Sequence, residues 1–281
     1  MDVLLRVLQT PLQDALKQSI VIDYKPGANS IIGLDAVAKA APDGYNWVIA
    51  PSSAIAINPV IQSNLPFNVQ KDLAPVAQLG AGGILLMTHP NSGFKSLQDV
   101  VAHARAHPGK LAYASWGSGS TGHLAMEGIK AYFGLDMPHV PYKTTAQEIT
   151  DLLANNISLA FTDVVSPIPH VRSGKLVALA ATGSGRPPAL PEVPTVAEQG
   201  FKFDADGWFG VFTAAGTPPD VVSRMNQALG KILAQDDVKA RFVQLNMALP
   251  PFKSPAQFAA TVQADTALWQ DLAKKAKLKI D

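Results

Sequence analysis

The residues Trp116-Gly117-Ser118-Gly119-Ser120-Thr121-Gly122 contain Gly117-x-Gly119-x-x-Gly122, a spacing that lets backbone N–H groups close on an anion. A strand-like run, KLAYAS (110–115), precedes the loop and a helix-like run, HLAMEGIKAYFG (123–134), follows it. Three roles fit this placement. A dinucleotide site would set a pyrophosphate on the helix start and needs an acid about 20 residues on, at the end of the next strand. That strand, HVPYK (139–143), ends instead in Lys143, which turns the reading toward an NADP-binding oxidoreductase. A Gly/Ser turn that only starts a helix is the second role. In the third, free N–H groups and the hydroxyls of Ser118, Ser120 and Thr121 hold a carboxylate without a salt bridge.

Other reactive side chains narrow the choice. Gly-x-Ser-x-Gly fails at both serines, because positions 116 and 118 are Trp and Ser, so no nucleophile elbow is present. His123 stands at the first helical turn, where capping or packing is its ordinary role. His103-x-x-x-His107 lies beside Arg105 on a helix and reads as a solvated face. Asp163 ends ISLAFTD (157–163) at a strand terminus where α/β proteins bind ligands, and it is equally suited to cap the next turn. Ser52 and Ser53 follow the strand-like YNWVIAP (45–51) in the same way, and Trp116 and Trp208 flank strand ends where they would pack or wall an apolar ligand.

The elements that must carry these groups alternate β-branched runs with amphipathic stretches, which predicts an α/β protein with mixed, mostly parallel sheets flanked by helices. Strands are expected at 19–24, 45–51, 75–80, 82–89, 110–115, 139–143, 157–163, 176–182 and 208–215. Leu4, Leu5, Val7, Leu8, Leu12 and Leu16 recur at helical spacing, Ser96-x-x-Asp99 is close to a capping box, and further helices are expected at 123–133, 145–154 and 219–234. At 281 residues the chain is expected to form two lobes. Pro and Gly interrupt apolar runs near His89–Gly93 and Ala214–Pro218, so residues 1–91 with 213–281 are predicted to form one lobe and 92–212 the other, with a cleft between them. With 23 Lys plus Arg against 22 Asp plus Glu, the net charge of +1 carries no footprint for nucleic acid. No apolar run approaches the ~20 residues of a membrane span, and the start MDVLLRVLQTPLQDAL lacks signal-peptide features. Cysteine is absent, which removes thiolate catalysis, Cys-ligated metals and disulfides.

Ordered blocks along nearly the whole chain resemble the Bug family, the substrate-binding proteins of tripartite tricarboxylate transporters. They include YKPGANSIIGLDAVAKAAPDGY (24–45), AINP (56–59), KDLAPVAQL (71–79), PGKLAYASWGSGSTGHLAMEGIK (108–130), HVPYK, PHVRSGKLVALAATG (169–183), LPEVPTVAEQGF (190–201) and WFGVFTAAGTP (208–218). The resemblance implies a two-lobed type II periplasmic binding fold and a non-catalytic, monomeric receptor without cofactor. Its partners would be a small carboxylate ligand and membrane permease subunits, or else the outer domain of a sensor kinase. It also implies that Ser52, Ser53, Ala54, Ser118, Gly119, Ser120, Thr121, Gly122, Lys143, Thr144, Thr145 and Asp163 face the ligand.

Three departures bear on that expectation. Members usually open with a signal peptide, a strand and a Gly-rich loop ending in Thr-Asp, whereas Met1-Asp2 stand where that pair would be. We expect those segments to lie upstream. PGANSIIG (26–33) replaces a glycine-rich run, which makes its loop bulkier. Trp116 stands where small residues are common, so it narrows its side of the site or offers a stacking surface, which admits an aromatic as well as a dicarboxylic ligand.

Overall fold

The computed structural model describes residues 2–25, 27–183, 185–202, 207–245 and 247–275. In chain order the elements are α1 (Asp2–Leu16), α2 (Ile31–Ala38), β1 (Trp47–Pro51), a π-helical turn (Ser53–Ile57), α3 (Asn58–Ile61), α4 (Val69–Asp72), β2 (Leu73–Gly82), β3 (Leu85–Thr88) and α5 (Leu97–Ala106). Then follow β4 (Tyr113–Ser115), α6 (Thr121–Phe133), β5 (His139–Pro141), α7 (Thr145–Leu153), β6 (Leu159–Thr162), α8 (Ile168–Arg172) and β7 (Val177–Ala181). The chain ends with β8 (Gly207–Ala214), α9 (Pro219–Leu233), α10 (Asp236–Gln244) and α11 (Pro255–Lys275). Among the described residues no helix is long and apolar enough to cross a membrane.

These elements form two compact units. The first takes the chain up to Ala81 and again from Trp208 to Ala267; the second takes Gly82–Gly207 and the segment from Leu268. The sequence places the crossings at 91/92 and 212/213, several residues further on in each case. Pairing explains the difference. The Pro/Gly stretch at 89–93 ends β3, and β3 hydrogen-bonds to β6 and β7 of the second unit. Phe209 to Thr213 of β8 pair with Pro51 to Trp47 of β1 in the first.

The first unit has a three-stranded sheet ordered β1-β8-β2, with β1 and β8 antiparallel. Leu4, Val7 and Leu8 of α1 recur at helical spacing and so present one apolar face, which joins Val222, Met225 and Leu229 of α9 and Val76 of β2 in a buried cluster. A second cluster packs Trp208, Phe212 and Phe258 with Leu34 and Ile55. The strand expected at 19–24 is not formed. Val21 is 87% exposed, no strand lies beside the segment among the described residues, and side chains of α1 reach it, Gln9 Nε2 donating to the Ile20 carbonyl and Arg6 to the Tyr24 hydroxyl. Alternating residues suit a strand, but a strand exists only by pairing.

The second unit has a five-stranded sheet ordered β5-β4-β6-β3-β7. β4 runs parallel to β5 and β6, while β3 is antiparallel to β6 and β7, so the sheets are mixed rather than mostly parallel. Its core packs Leu85 and Met87 of β3, Ala114 of β4 and Ala160 of β6 under Ile149 and Leu152 of α7. At the start of α5 the Ser96 hydroxyl accepts from Asp99 N (3.1 Å) while Asp99 Oδ2 accepts from Lys95 N (2.8 Å), which realises the capping pattern expected from the sequence.

Candidate functional site

Because β5, β4 and β6 are parallel neighbours, their C-terminal ends share one edge of the sheet, and the loops after Ser115, Pro141 and Thr162 leave from that edge. The N-termini of α6 and α7 begin there. Tyr142 N donates to the Ser115 carbonyl at 2.9 Å, which ties the first two loops together.

The loop 116–120 takes its shape from its glycines. Gly117 and Gly119 have φ of 135° and 77°, a region closed to most side chains, and both Ser115 Oγ (3.0 Å) and Ser120 N (3.2 Å) donate to the Gly117 carbonyl. Ser120 caps α6. Its hydroxyl accepts from His123 N at 3.2 Å and lies 3.1 Å from Ser115 Oγ, to which it donates. Gly119 N donates to His123 Nδ1 at 3.0 Å, so in neutral His123 the ring proton is on Nε2. Of the N–H groups at the helix start, those of Thr121 and Gly122 have no preceding intrahelical carbonyl.

Behind the loop stands a stack of rings, with Tyr113 and His123 buried and His139 half-buried. His123 lies on His139 at 4.0 Å and 14°, and His139 on Tyr113 at 4.9 Å and 26°. Burial holds the His123 imidazole below its ordinary range, and burial together with His123 pushes His139 down to about 4. His139 Nε2 is 2.8 Å from Ser115 Oγ. Tyr113 donates its hydroxyl to Glu127 Oε1 (2.6 Å), which also takes Lys130 Nζ (2.5 Å); burial, with this bond, raises the phenol. The stack is thus neutral at neutral pH, and the Glu127–Lys130 ion pair sits at its far end.

The residues expected to face a ligand divide into groups. Ser118 is exposed on the loop, and Gly119, Ser120, Thr121 and Gly122 form the buried turn below it. Trp116 is half-buried, and its ring leans on the first turn of α6. A Cβ at Gly122 would stand 2.9 Å from Trp116 Cζ3 and 2.9 Å from Phe161 Cβ, so glycine is what lets helix, ring and β6 meet. Lys143 is exposed, Thr144 caps α7 by accepting from Gln147 N (3.3 Å), and Thr145 opens the helix. Asp163 acts as a cap. Its Oδ1 accepts from Val165 N and Ser166 N, both at 2.8 Å, and its Oδ2 from the Ser166 hydroxyl at 2.6 Å.

Ser52, Ser53 and Ala54 belong to the first unit, where they enter the π-helical turn. Ser52 Oγ accepts from Trp208 N (3.3 Å), and Ser53 Oγ donates to Asn29 Oδ1 (3.4 Å). Asn29 and Asn58 are joined twice, by Asn29 Nδ2 to Asn58 Oδ1 at 2.8 Å and by Asn58 Nδ2 to the Asn29 carbonyl at 3.1 Å. Asn29 and Ser30 have φ of 48° and 67°, a left-handed pair without glycine in the bulky PGANSIIG loop. Trp208 is a core residue, packed edge-on to Phe258 with its indole N–H on Asp265.

The model of the tripartite tricarboxylate transporter family receptor matches residues 4–278. The chain belongs to that receptor family. Protein BugT of Bordetella pertussis is 34% identical over 282 residues, covering 99% of this chain and 86% of that protein. A protein of R. palustris solved with adipate superposes with a TM-score of 0.90 at 29% identity, covering 99% of this chain and 93% of the other. MatC from Rhodopseudomonas palustris, solved with malate, gives 0.85 at 26% identity and covers 96% and 93%. The periplasmic binding protein BugD gives 0.87 at 26% identity and covers 99% and 93%. The α/β fold with mixed sheets is therefore that of periplasmic solute receptors.

One residue of the receptor's second unit is not evident from the sequence. Glu148 on α7 is fully buried, and neither of its carboxyl oxygens has a hydrogen-bond partner. Burial, with the Asp163 charge adding to it, pushes this carboxyl up to about 9. The available signal was its place beside Ile149 and Leu152 on the buried face of TAQEITDLL, where an acid is out of keeping with its neighbours.

Proposed function

We propose that this chain is a non-catalytic periplasmic receptor that captures a small dicarboxylate and delivers it to a membrane permease. The observation that carries the reading is the start of α6. The Thr121 and Gly122 N–H groups lack intrahelical acceptors, the Ser118 hydroxyl lies on the loop above them, and the fixed turn beneath keeps them in place. Such donors hold an anion with no Arg or Lys cluster, and desolvating them costs less than desolvating an ion pair. Relatives solved with adipate and with malate support the ligand class. The Ser115–His139 contact does not compete as a catalytic pair, because Ser115 is wholly enclosed and no substrate carbonyl reaches it.

The test is calorimetric titration of the protein with adipate, malate, acetate and NADP at pH 7. Single-site heat with a dicarboxylate, accompanied by a rise in melting temperature that grows with ligand concentration, is the expected result. Binding of NADP without heat from any acid would overturn the proposal in favour of an oxidoreductase.

A further inference from the structure

We propose that His139 is a positioning residue of the turn before α6: its Nε2–H donates to Ser115 Oγ, which commits the Ser115 hydrogen to the Gly117 carbonyl and holds the Ser118 N–H outward. The inference deepens the carboxylate reading and rests on it.

Ser115 ends β4 and is wholly enclosed, so its hydrogen-bond partners come from the protein. Its Oγ meets three polar atoms: the Gly117 carbonyl at 3.0 Å, Ser120 Oγ at 3.1 Å and His139 Nε2 at 2.8 Å. A hydroxyl has one hydrogen and two lone pairs, which decides the directions. The Gly117 carbonyl only accepts, so it takes the Ser115 hydrogen. The Ser120 hydroxyl accepts from His123 N and gives its own hydrogen to Ser115. One lone pair of Ser115 is then left, and His139 fills it as an Nε2–H donor. With the ring proton on Nδ1 instead, Nε2 would need the Ser115 hydrogen, and the Gly117 carbonyl would keep only Ser120 N. Tyr113 at 4.9 Å and His123 at 4.0 Å stack on the His139 ring and fix its plane, and burial with His123 keeps it uncharged at neutral pH.

The direction of these bonds reaches the ligand side through one peptide unit. The Gly117 carbonyl accepts from the enclosed Ser115 Oγ and from Ser120 N at 3.2 Å, which pins it inward. The peptide joining Gly117 to Ser118 is planar and trans, so its N–H points opposite to its C=O. The Ser118 N–H is thereby turned outward on an exposed residue, and no acceptor among the described residues takes it. Two donors on the carbonyl also polarise that amide and strengthen its N–H as a donor to an anion. His139 thus acts on the loop from β5 without touching the ligand.

The experiment has two arms. In the first, nitrogen NMR of histidine-labelled wild-type protein at pH 7 reads the tautomer, with His139→Gln assigning the resonances. We expect the pattern of an Nε2–H imidazole; an Nδ1–H pattern overturns the proposal without recourse to binding. In the second, adipate and malate are titrated calorimetrically into wild type, His139→Gln and His139→Leu, with the melting temperature of each. His139→Gln, whose amide still donates, should bind within about threefold of wild type, and His139→Leu, which fills space without donating, at least about tenfold more weakly. In a Ser115→Ala background, His139→Leu should cost no more than about twofold further, because the histidine acts through that hydroxyl. Equal losses for the two His139 variants would reduce the residue to packing and sink the proposal. So would wild-type affinity in His139→Leu, or losses that add in full to those of Ser115→Ala. Failure of the wild-type protein to bind either acid at pH 7 would instead overturn the receptor reading itself, and this inference with it.

Discussion

The serines of the first unit resemble their counterparts in the other unit at the level of sequence, since each set follows a strand and opens a helical turn. Their hydrogen bonds separate them. Ser53 gives its hydroxyl to Asn29, Ser52 accepts from Trp208 N, and the Asn29–Asn58 pair closes a left-handed turn that neither Asn29 nor Ser30 adopts without support. In the second unit Ser120 also turns inward, but it leaves the N–H groups of Thr121 and Gly122 at a helix start without acceptors. One set fixes a backbone, and the other fixes a backbone that still has donors to offer. On the proposed reading, what distinguishes a binding turn from a structural one is the balance of unused donors, not the number of hydroxyls.

The sharpest way to break this contrast is Gly122→Val. The added carbons would meet Phe161 Cβ and Trp116 Cζ3, each 2.9 Å from the new Cβ, and the first turn of α6 must move. Overpacking of this kind costs about 3 kcal/mol. The melting temperature should fall by several degrees, and calorimetry should find no residual affinity for adipate or malate. A variant that melts lower yet binds as well as wild type would show that the α6 start is not the anion site.

Next in size is Asn58→Ala in the first unit. It removes a buried amide, so Asn29 loses two hydrogen bonds and its left-handed backbone loses its clamp. The expected loss is about 2 kcal/mol of stability by denaturant titration, with faster amide exchange at residues 29–31. Unchanged stability would mean that the Asn29–Asn58 pair is incidental and that the contrast between the units is false.

Two groups of the second unit, one half-buried and one enclosed, give stability opposite pH slopes. His139 is held down to about 4 from an ordinary 6.5, so the folded state binds fewer protons than the unfolded one between those values. Its contribution is complete above pH 6.5 and is lost as pH falls toward 4. Glu148 is raised from 4.5 to about 9, so its neutral form favours folding below pH 4.5 and that advantage is lost as pH rises through 9. After discounting for solvent around the half-buried His139 ring, its effect is about 1–2 kcal/mol at pH 5. Melting curves of His139→Gln and Glu148→Gln against wild type should show the first gaining relative stability toward acid and the second toward alkali. Parallel curves would refute both assignments.

Ser120→Ala is a milder probe. Loss of an N-cap costs about 1 kcal/mol, and here the Ser115 hydroxyl also loses its donor. Because the Thr121 and Gly122 N–H groups depend on that cap for their direction, affinity should fall several-fold while the fold persists. An unaltered affinity would separate the cap from the anion site.

How far these features can be read from sequence follows the range of the interactions behind them. Eight strands were legible because β-branched runs bounded by Gly and Pro are local signals, and so was the Ser96 cap, whose partners lie three residues apart. The run 19–24 carries the same local signal and forms no strand, because its neighbour is supplied by topology and not by its own residues. The shape of the loop at 116–122 was legible from its glycines, two of which take positive φ. That His123 would accept from Gly119 N and stack on His139 was not, since those partners lie on different elements. Glu148 was hidden for the same reason. A helical pattern tells which face is buried, and only the packed structure tells that a buried carboxyl has been left without a partner.

Lys143 offers the smallest effect and the cleanest separation of the rival chemistries. In an NADP site it would pair with the 2′-phosphate, and its loss would weaken the cofactor strongly. In the carboxylate site drawn from the α6 start it is an exposed side chain beyond the Thr144 cap, and charge at such a position contributes little through screened solvent. Lys143→Gln should therefore change stability by less than about 0.5 kcal/mol. Dicarboxylate affinity should change no more than about twofold, with the residual difference vanishing as salt is raised. A larger, salt-resistant loss would place the lysine on the ligand and shift the anion site from the N–H groups of α6 toward the start of α7.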